Sequence, residues 1–159
     1  MPRALLKIPF LLLLLSLPTM AQSVNFESVL VKKNVTRDGQ PGLEIQSRYT
    51  MHGYKAKKVN VAAYFYQWEG AKLKDLDGLC KSADGQVSTS LTFEVDGDSI
   101  AVDTRDAPNF TLFLPYKQLH LNEGDYALKL QLEIFLDGTG QSIGKSNFAS
   151  FNVLSSEYR

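Results

Sequence analysis

Asp125-Tyr126-Ala127-Leu128-Lys129-Leu130-Gln131-Leu132-Glu133-Ile134-Phe135-Leu136 alternates along its whole length. Tyr126, Leu128, Leu130, Leu132, Ile134 and Leu136 form one row, while Ala127, Lys129, Gln131, Glu133 and Phe135 form the other. A helix repeats every 3.6 residues and would scatter these leucines around its axis, so a period of two assigns a strand with one buried face. Six large apolar side chains in one row, each contributing about 1.5–3 kcal/mol when fully buried, mark it as the central core strand. Asp137-Gly138-Thr139-Gly140 then supplies the residues that turn a chain back on itself.

Working outward, Gln86 to Thr104 carries the same period, with Val87, Leu91, Phe93 and Val95 set against Ser88, Ser90, Thr92 and Glu94. Asp96-Gly97 follows, a dipeptide suited to a type I′ turn. A two-residue turn there pairs Val95 with Asp98, Phe93 with Ile100 and Leu91 with Val102, so the spacing predicts a hairpin. Val24 to Lys33, Leu43 to Met51 and Val59 to Trp68 read as further strands, separated by Arg37-Asp38-Gly39-Gln40-Pro41-Gly42 and by the stretch around Gly53. Phe110 to Leu114 adds a short apolar strand, and Ser142 to Val153 a last one with Ile143, Phe151 and Val153 on one face. The class is all-β, and about eight strands fit an antiparallel two-sheet sandwich. An up-and-down β-barrel is the alternative; uneven segment lengths, the irregular connection from Gly70 to Gly85 and the short turn at Pro115 to Leu119 favour the sandwich.

Leu119-x-Leu121-x-x-Gly124-x-Tyr126, leading into the alternating strand, resembles the tyrosine corner of immunoglobulin-like and fibronectin-like sandwiches. The run Phe113-Leu114-Pro115-Tyr116 through Leu119-His120-Leu121 is similar to small uncharacterised β-sandwich modules of bacterial exported proteins, immunoglobulin-like or C2-like. The antibody-type cysteine pair is absent, and Trp68 has no disulfide to pack against. The resemblance implies a fold and a compartment and brings no catalytic residues with it.

Compartment is also read from the start of the chain, where Arg3 and Lys7 precede an apolar run from Ile8 to Leu17 closing on Thr19-Met20-Ala21. This is signal-peptide architecture, too short for the roughly twenty residues of a spanning helix. The expected product runs from residue 22 to 159 as one secreted or periplasmic domain with no transmembrane segment. Losing Arg3 and Lys7 leaves 15 basic residues against 17 acidic, a formal charge of about −2. That balance argues against nucleic acid, whose partners carry a broad positive surface. Cys80 is the only cysteine, so no intramolecular disulfide forms, and it reads as a small buried hydrophobe.

Three sets of residues could carry chemistry. Asp75, Asp77 and Asp84 lie within one connection, and sandwich loops gathered at one end can supply the six to eight oxygens that calcium takes. Such a set would make the chain a calcium-dependent C2-like module for a surface or a membrane, although Asp and Gly are also what turns require. Nucleophilic catalysis needs a positioned base, and His52 and His120 are the only histidines. With nothing in the sequence that places either histidine beside Cys80 and no His-Glu-x-x-His spacing, a hydrolase ranks third. His120, between two leucines beside a turn, reads as a surface or hydrogen-bonded structural residue. Tyr64, Tyr66 and Trp68 fall on one face of a strand whose other face carries Val59, Val61, Ala63 and Phe65. If the smaller residues face the core, three amphipathic rings stand outward as a platform for a protein or polysaccharide partner. The preferred reading is a non-catalytic exported binding module that uses those rings.

Overall fold

A computed structural model describes residues 21–157, so the leader up to Met20 lies outside the described residues. The strands are β1 (Ser23–Arg37), β2 (Gln40–His52), β3 (Lys58–Gln67), β4 (Ser88–Glu94), β5 (Ser99–Asp103), β6 (Leu112–Pro115), β7 (Tyr126–Leu136), β8 (Ser142–Lys145) and β9 (Ala149–Val153). They form two antiparallel sheets, a sandwich and not a closed barrel. The first has β2 at its centre, flanked by β1 on one side and by β5 and β6 on the other. The second runs β4-β3-β7, with β8 and β9 both completing the far side of β7. Among the described residues no helix is long and apolar enough to cross a membrane.

Alternation decides which face each sheet buries. Leu128, Leu130, Leu132 and Ile134 of β7 are at most 1% exposed and meet Leu43, Ile45, Tyr49 and Met51 of β2 in one core. In β3 the inward row is Val59, Val61, Ala63 and Phe65. β7 therefore holds the middle of its sheet, pairing with β3 from Leu128 to Leu136 and with β8 and β9 along its other edge.

The hairpin expected at Asp96-Gly97 does not form. β4 pairs with β3 in the second sheet and β5 pairs with β2 in the first, so the chain crosses between sheets at this dipeptide. It crosses beside the β2–β3 connection, and the two stay hydrogen-bonded: Ala56 N donates to Val95 O at 2.7 Å, Val95 N to Lys57 O at 2.9 Å, and Gly53 N to Asp98 O at 2.8 Å. Phe93 still stands with Ile100 and Val102, but they line a cleft of about 430 Å³ from different sheets instead of lying side by side in one. Matching apolar rows therefore satisfy either geometry. A true two-residue hairpin sits at Asp38-Gly39, where Arg37 pairs with Gln40 and both turn residues have positive φ, 51° and 74°. Gly39→Ala accordingly costs about 1 kcal/mol through its left-handed backbone alone, since a Cβ there meets nothing within 4 Å. An unchanged urea midpoint would show that position 39 is not left-handed.

Ser142 to Val153 is likewise two strands, not one. Ser146 lies between them, taking the Leu132 N–H on its Oγ at 2.9 Å while its own N–H donates to Leu132 O at 2.9 Å. The register against β7 slips by one residue between Gly144 opposite Ile134 and Ala149 opposite Leu130, a bulge fixed by a side chain. Tyr116 ties distant backbone together: its hydroxyl accepts from Asn34 N at 2.9 Å and donates to Asn34 Oδ1 at 3.0 Å. Asn34 is held at φ 57° in the bulge of β1.

Candidate functional site

Because Phe65 is fully buried, its neighbours Tyr64 and Tyr66 project from the opposite, outer face of β3, half-buried. Each ring is braced edge-on by another aromatic, Tyr64 by Phe135 of β7 at 6.4 Å and Tyr66 by Phe148 at 5.3 Å. Lys129 Nζ lies 4.8 Å from the centre of the Phe148 ring, within cation–π range. Trp68 lies just past the end of β3 and is 55% exposed.

Tyr64 and Tyr66 line a cleft of about 330 Å³. Lys72, Ser82 and Asp84 from the 70–85 connection border it on one side, Glu133 and Lys145 on the other, and Trp68 is not among its lining residues. Lys72 pairs with Asp84, and Lys145 Nζ lies 3.1 Å from Glu133 Oε1. The Lys72 ammonium, helped by the Ser82 hydroxyl, holds the Asp84 carboxyl down to about 2. Burial pushes the Tyr64 hydroxyl up, and the Glu133 charge adds to this. Tyr64 therefore enters the cleft as a neutral ring with a donor at its tip, and ion pairs flank both tyrosines.

The three aspartates grouped by sequence are divided in space. Asp84 belongs to the aromatic cleft, drawn there by Lys72. Asp75 and Asp77 instead meet His120, at the end of the 3-10 turn Tyr116–Leu119. His120 Nε2 lies 2.9 Å from Asp75 Oδ1 and 3.6 Å from Asp77 Oδ1. The Asp77 carboxylate is held below the usual range chiefly by the Leu79 N–H on its Oδ1 at 3.0 Å, and Gln118 Nε2 donates to its Oδ2 at 3.2 Å. The Asp75 side chain has no exposure, and its Oδ2 has no hydrogen-bond partner; nor has Oε1 of Gln118. A cleft of about 340 Å³ lined by Leu73, Leu76, Leu121 and Tyr126 opens beside His120. Leu76 and Leu79, on either side of Asp77, are 75% and 72% exposed. Cys80 is half-buried against the core, and burial, reinforced by the Asp75 and Asp77 charges, pushes its thiol up.

Sequence reasoning missed Lys72, Glu133 and Lys145 at the cleft, Phe148 against Tyr66, and Gln118 and the pairing of His120 beside the acids. One signal was available: Phe135 is the only aromatic in the polar row of β7, which marks the outer face as not wholly solvated. The pairing of His120 with Asp75 spans 45 positions and leaves no local trace.

No family model matches the chain, and no curated protein does. Among solved structures the chain is similar to a bacterial adhesin from Mobiluncus mulieris containing intramolecular disulfide, isopeptide and ester bond cross-links, at 12% identity and a TM-score of 0.42. The match covers 82% of this chain and 49% of the adhesin, so the chain spans about half of that protein's length.

Proposed function

We propose that the chain is a non-catalytic exported binding module whose partner is a glycan held in the cleft over Tyr64 and Tyr66. The observation that carries this reading is the recess itself, two outward tyrosines on an inner strand with an ion pair on either side. Sugars present apolar C–H faces that stack on aromatic rings and hydroxyls that need donors and acceptors at their rims, and this cleft has both. Its volume falls within the usual range for small-ligand sites and suits one or two sugar rings. Ion pairs on both sides suit a ligand rich in hydroxyls better than the apolar centre of a protein interface, where charged residues are depleted.

Titration of a panel of mono- to tetrasaccharides by calorimetry tests the proposal. Binding of at least one sugar is expected, weakened about tenfold or more by Tyr66→Ser through loss of a stacking contact of about 1–1.5 kcal/mol and its hydroxyl bond. Because Tyr66 faces outward, the variant keeps its fold and melts within a few degrees of the parent. Binding unaffected by Tyr66→Ser, or no binding across the panel, refutes the glycan reading; collapse of the variant would move Tyr66 into the core.

A further inference from the structure

We propose that Asp75, Asp77 and His120 bind a first-row transition-metal dication, zinc being the representative, with the Gln118 amide oxygen as a fourth donor. One ligand atom from each of the three residues lies within 4.8 Å of the others, close to the span of atoms gathered about a single ion at 2.0–2.2 Å. The second, independent observation is the pattern of unmet oxygens. Among the described residues, three buried side-chain atoms lack a hydrogen-bond partner, and two of them, Asp75 Oδ2 and Gln118 Oε1, belong to this cluster. Gln118 is 3% exposed, and its amide already stands against the Asp77 carboxylate. Two buried acceptors left unmet beside a second carboxylate are costly, and a cation meets all of them at once.

Donor chemistry selects the class of ion. Calcium takes six to eight oxygens, whereas this cluster includes an imidazole nitrogen, and Asp84, the third acid of the connection, is held elsewhere by Lys72. Two carboxylates with one imidazole suit a borderline cation such as zinc. The Leu79 N–H and the Gln118 NH₂ fix the Asp77 carboxylate, as outer partners do around metal ligands. The Asp77 side chain is 41% exposed, so an ion reaches the cluster from solvent on that side. The bound ion would fasten the 70–85 connection to the segment after β6, holding the loop that presents Leu76 and Leu79.

The experiment uses the untagged protein, stripped with chelator, and calorimetric titration with Zn²⁺, Mn²⁺, Ca²⁺ and Mg²⁺. One equivalent of zinc is expected, at least tenfold tighter than calcium, with a melting midpoint raised by about 8 °C at a hundredfold excess over Kd. Asp75→Asn keeps the shape and removes the charge. His120→Asn removes the imidazole while tolerating the φ of 52°. Each is expected to weaken zinc by tenfold or more. If either variant fails to fold, amide shifts on adding zinc to the parent decide: changes confined to residues 73–80 and 116–122 support the site, and changes elsewhere overturn it. Absence of zinc binding, with the two oxygens held by water alone, overturns the proposal. So do zinc binding undiminished in folded Asp75→Asn and calcium binding as tight as zinc. None of these outcomes bears on the tyrosine cleft.

Discussion

Gly42→Ala lowers the stability by more than about 3 kcal/mol, beyond the usual range for an overpacked site. A Cβ at position 42 would lie 2.3 Å from the Leu114 carbonyl oxygen, 2.8 Å from Phe113 Cζ and 2.9 Å from Pro115 Cα. Two of those three atoms are backbone of β6, which pairs with β2 at this very point, Gly42 opposite Pro115 and Leu43 opposite Leu114. A flexible side chain could rotate away, but paired backbone moves only by giving up its ladder. Leu43 and Leu114 are both fully buried, so drawing β6 outward also opens the core above them. Phe113, the remaining neighbour, is capped by the Arg37 guanidinium 5.0 Å from its ring centre and has little slack. Urea denaturation checks this, with Gly138→Ala as the control. That residue has positive φ but open space around it, and its loss is about 1 kcal/mol. Equal losses at the two glycines would mean that β6 does not lie against β2 in this register.

The inner row of β7 was legible because alternation is a local property: each leucine reports its own face without reference to another strand. Asp96-Gly97 was misread for the opposite reason. The same dipeptide type closes a hairpin at Asp38-Gly39 and crosses between sheets at 96–97, and the difference lies in the 53–57 segment that Val95 and Asp98 bond to. That partner is some forty positions upstream, beyond the reach of any turn rule. Position 59–68 was half-legible. Both of its faces are apolar, and only the packing of Phe65 against the opposite layer turns Tyr64 and Tyr66 outward. Grouping Asp84 with Asp75 and Asp77 followed proximity in the chain, whereas the nearest cation and the nearest imidazole, Lys72 and His120, separate them.

Phe65→Ala costs about 3–5 kcal/mol, the range for removing a buried ring, and lowers the melting midpoint by about 10–15 °C for a chain of this size. The ring is fully buried and meets Phe151 edge-on at 6.3 Å, so its loss removes an aromatic pair along with the buried area. Position 65 is also where the irregular 70–85 connection is stitched to the sheet. Phe65 N donates to Val87 O at 3.2 Å, and its carbonyl accepts from Leu73 N at 3.0 Å and Gln86 Nε2 at 2.8 Å. A cavity here loosens Leu73 and Val87, both core residues, and with them the connection that carries Lys72 and Asp84 of the tyrosine cleft and, between them, Asp75. Local opening should therefore exceed what the global loss implies. Amide exchange at residues 73–87 is expected to accelerate more than exchange in β2, which does not pair with β3. Phe65→Leu, which keeps most of the volume, is expected to cost under about 1.5 kcal/mol. A Phe65→Ala loss no larger than that of Phe65→Leu would show the ring to be peripheral. It would also leave no packing reason for the outward turn of Tyr64 and Tyr66.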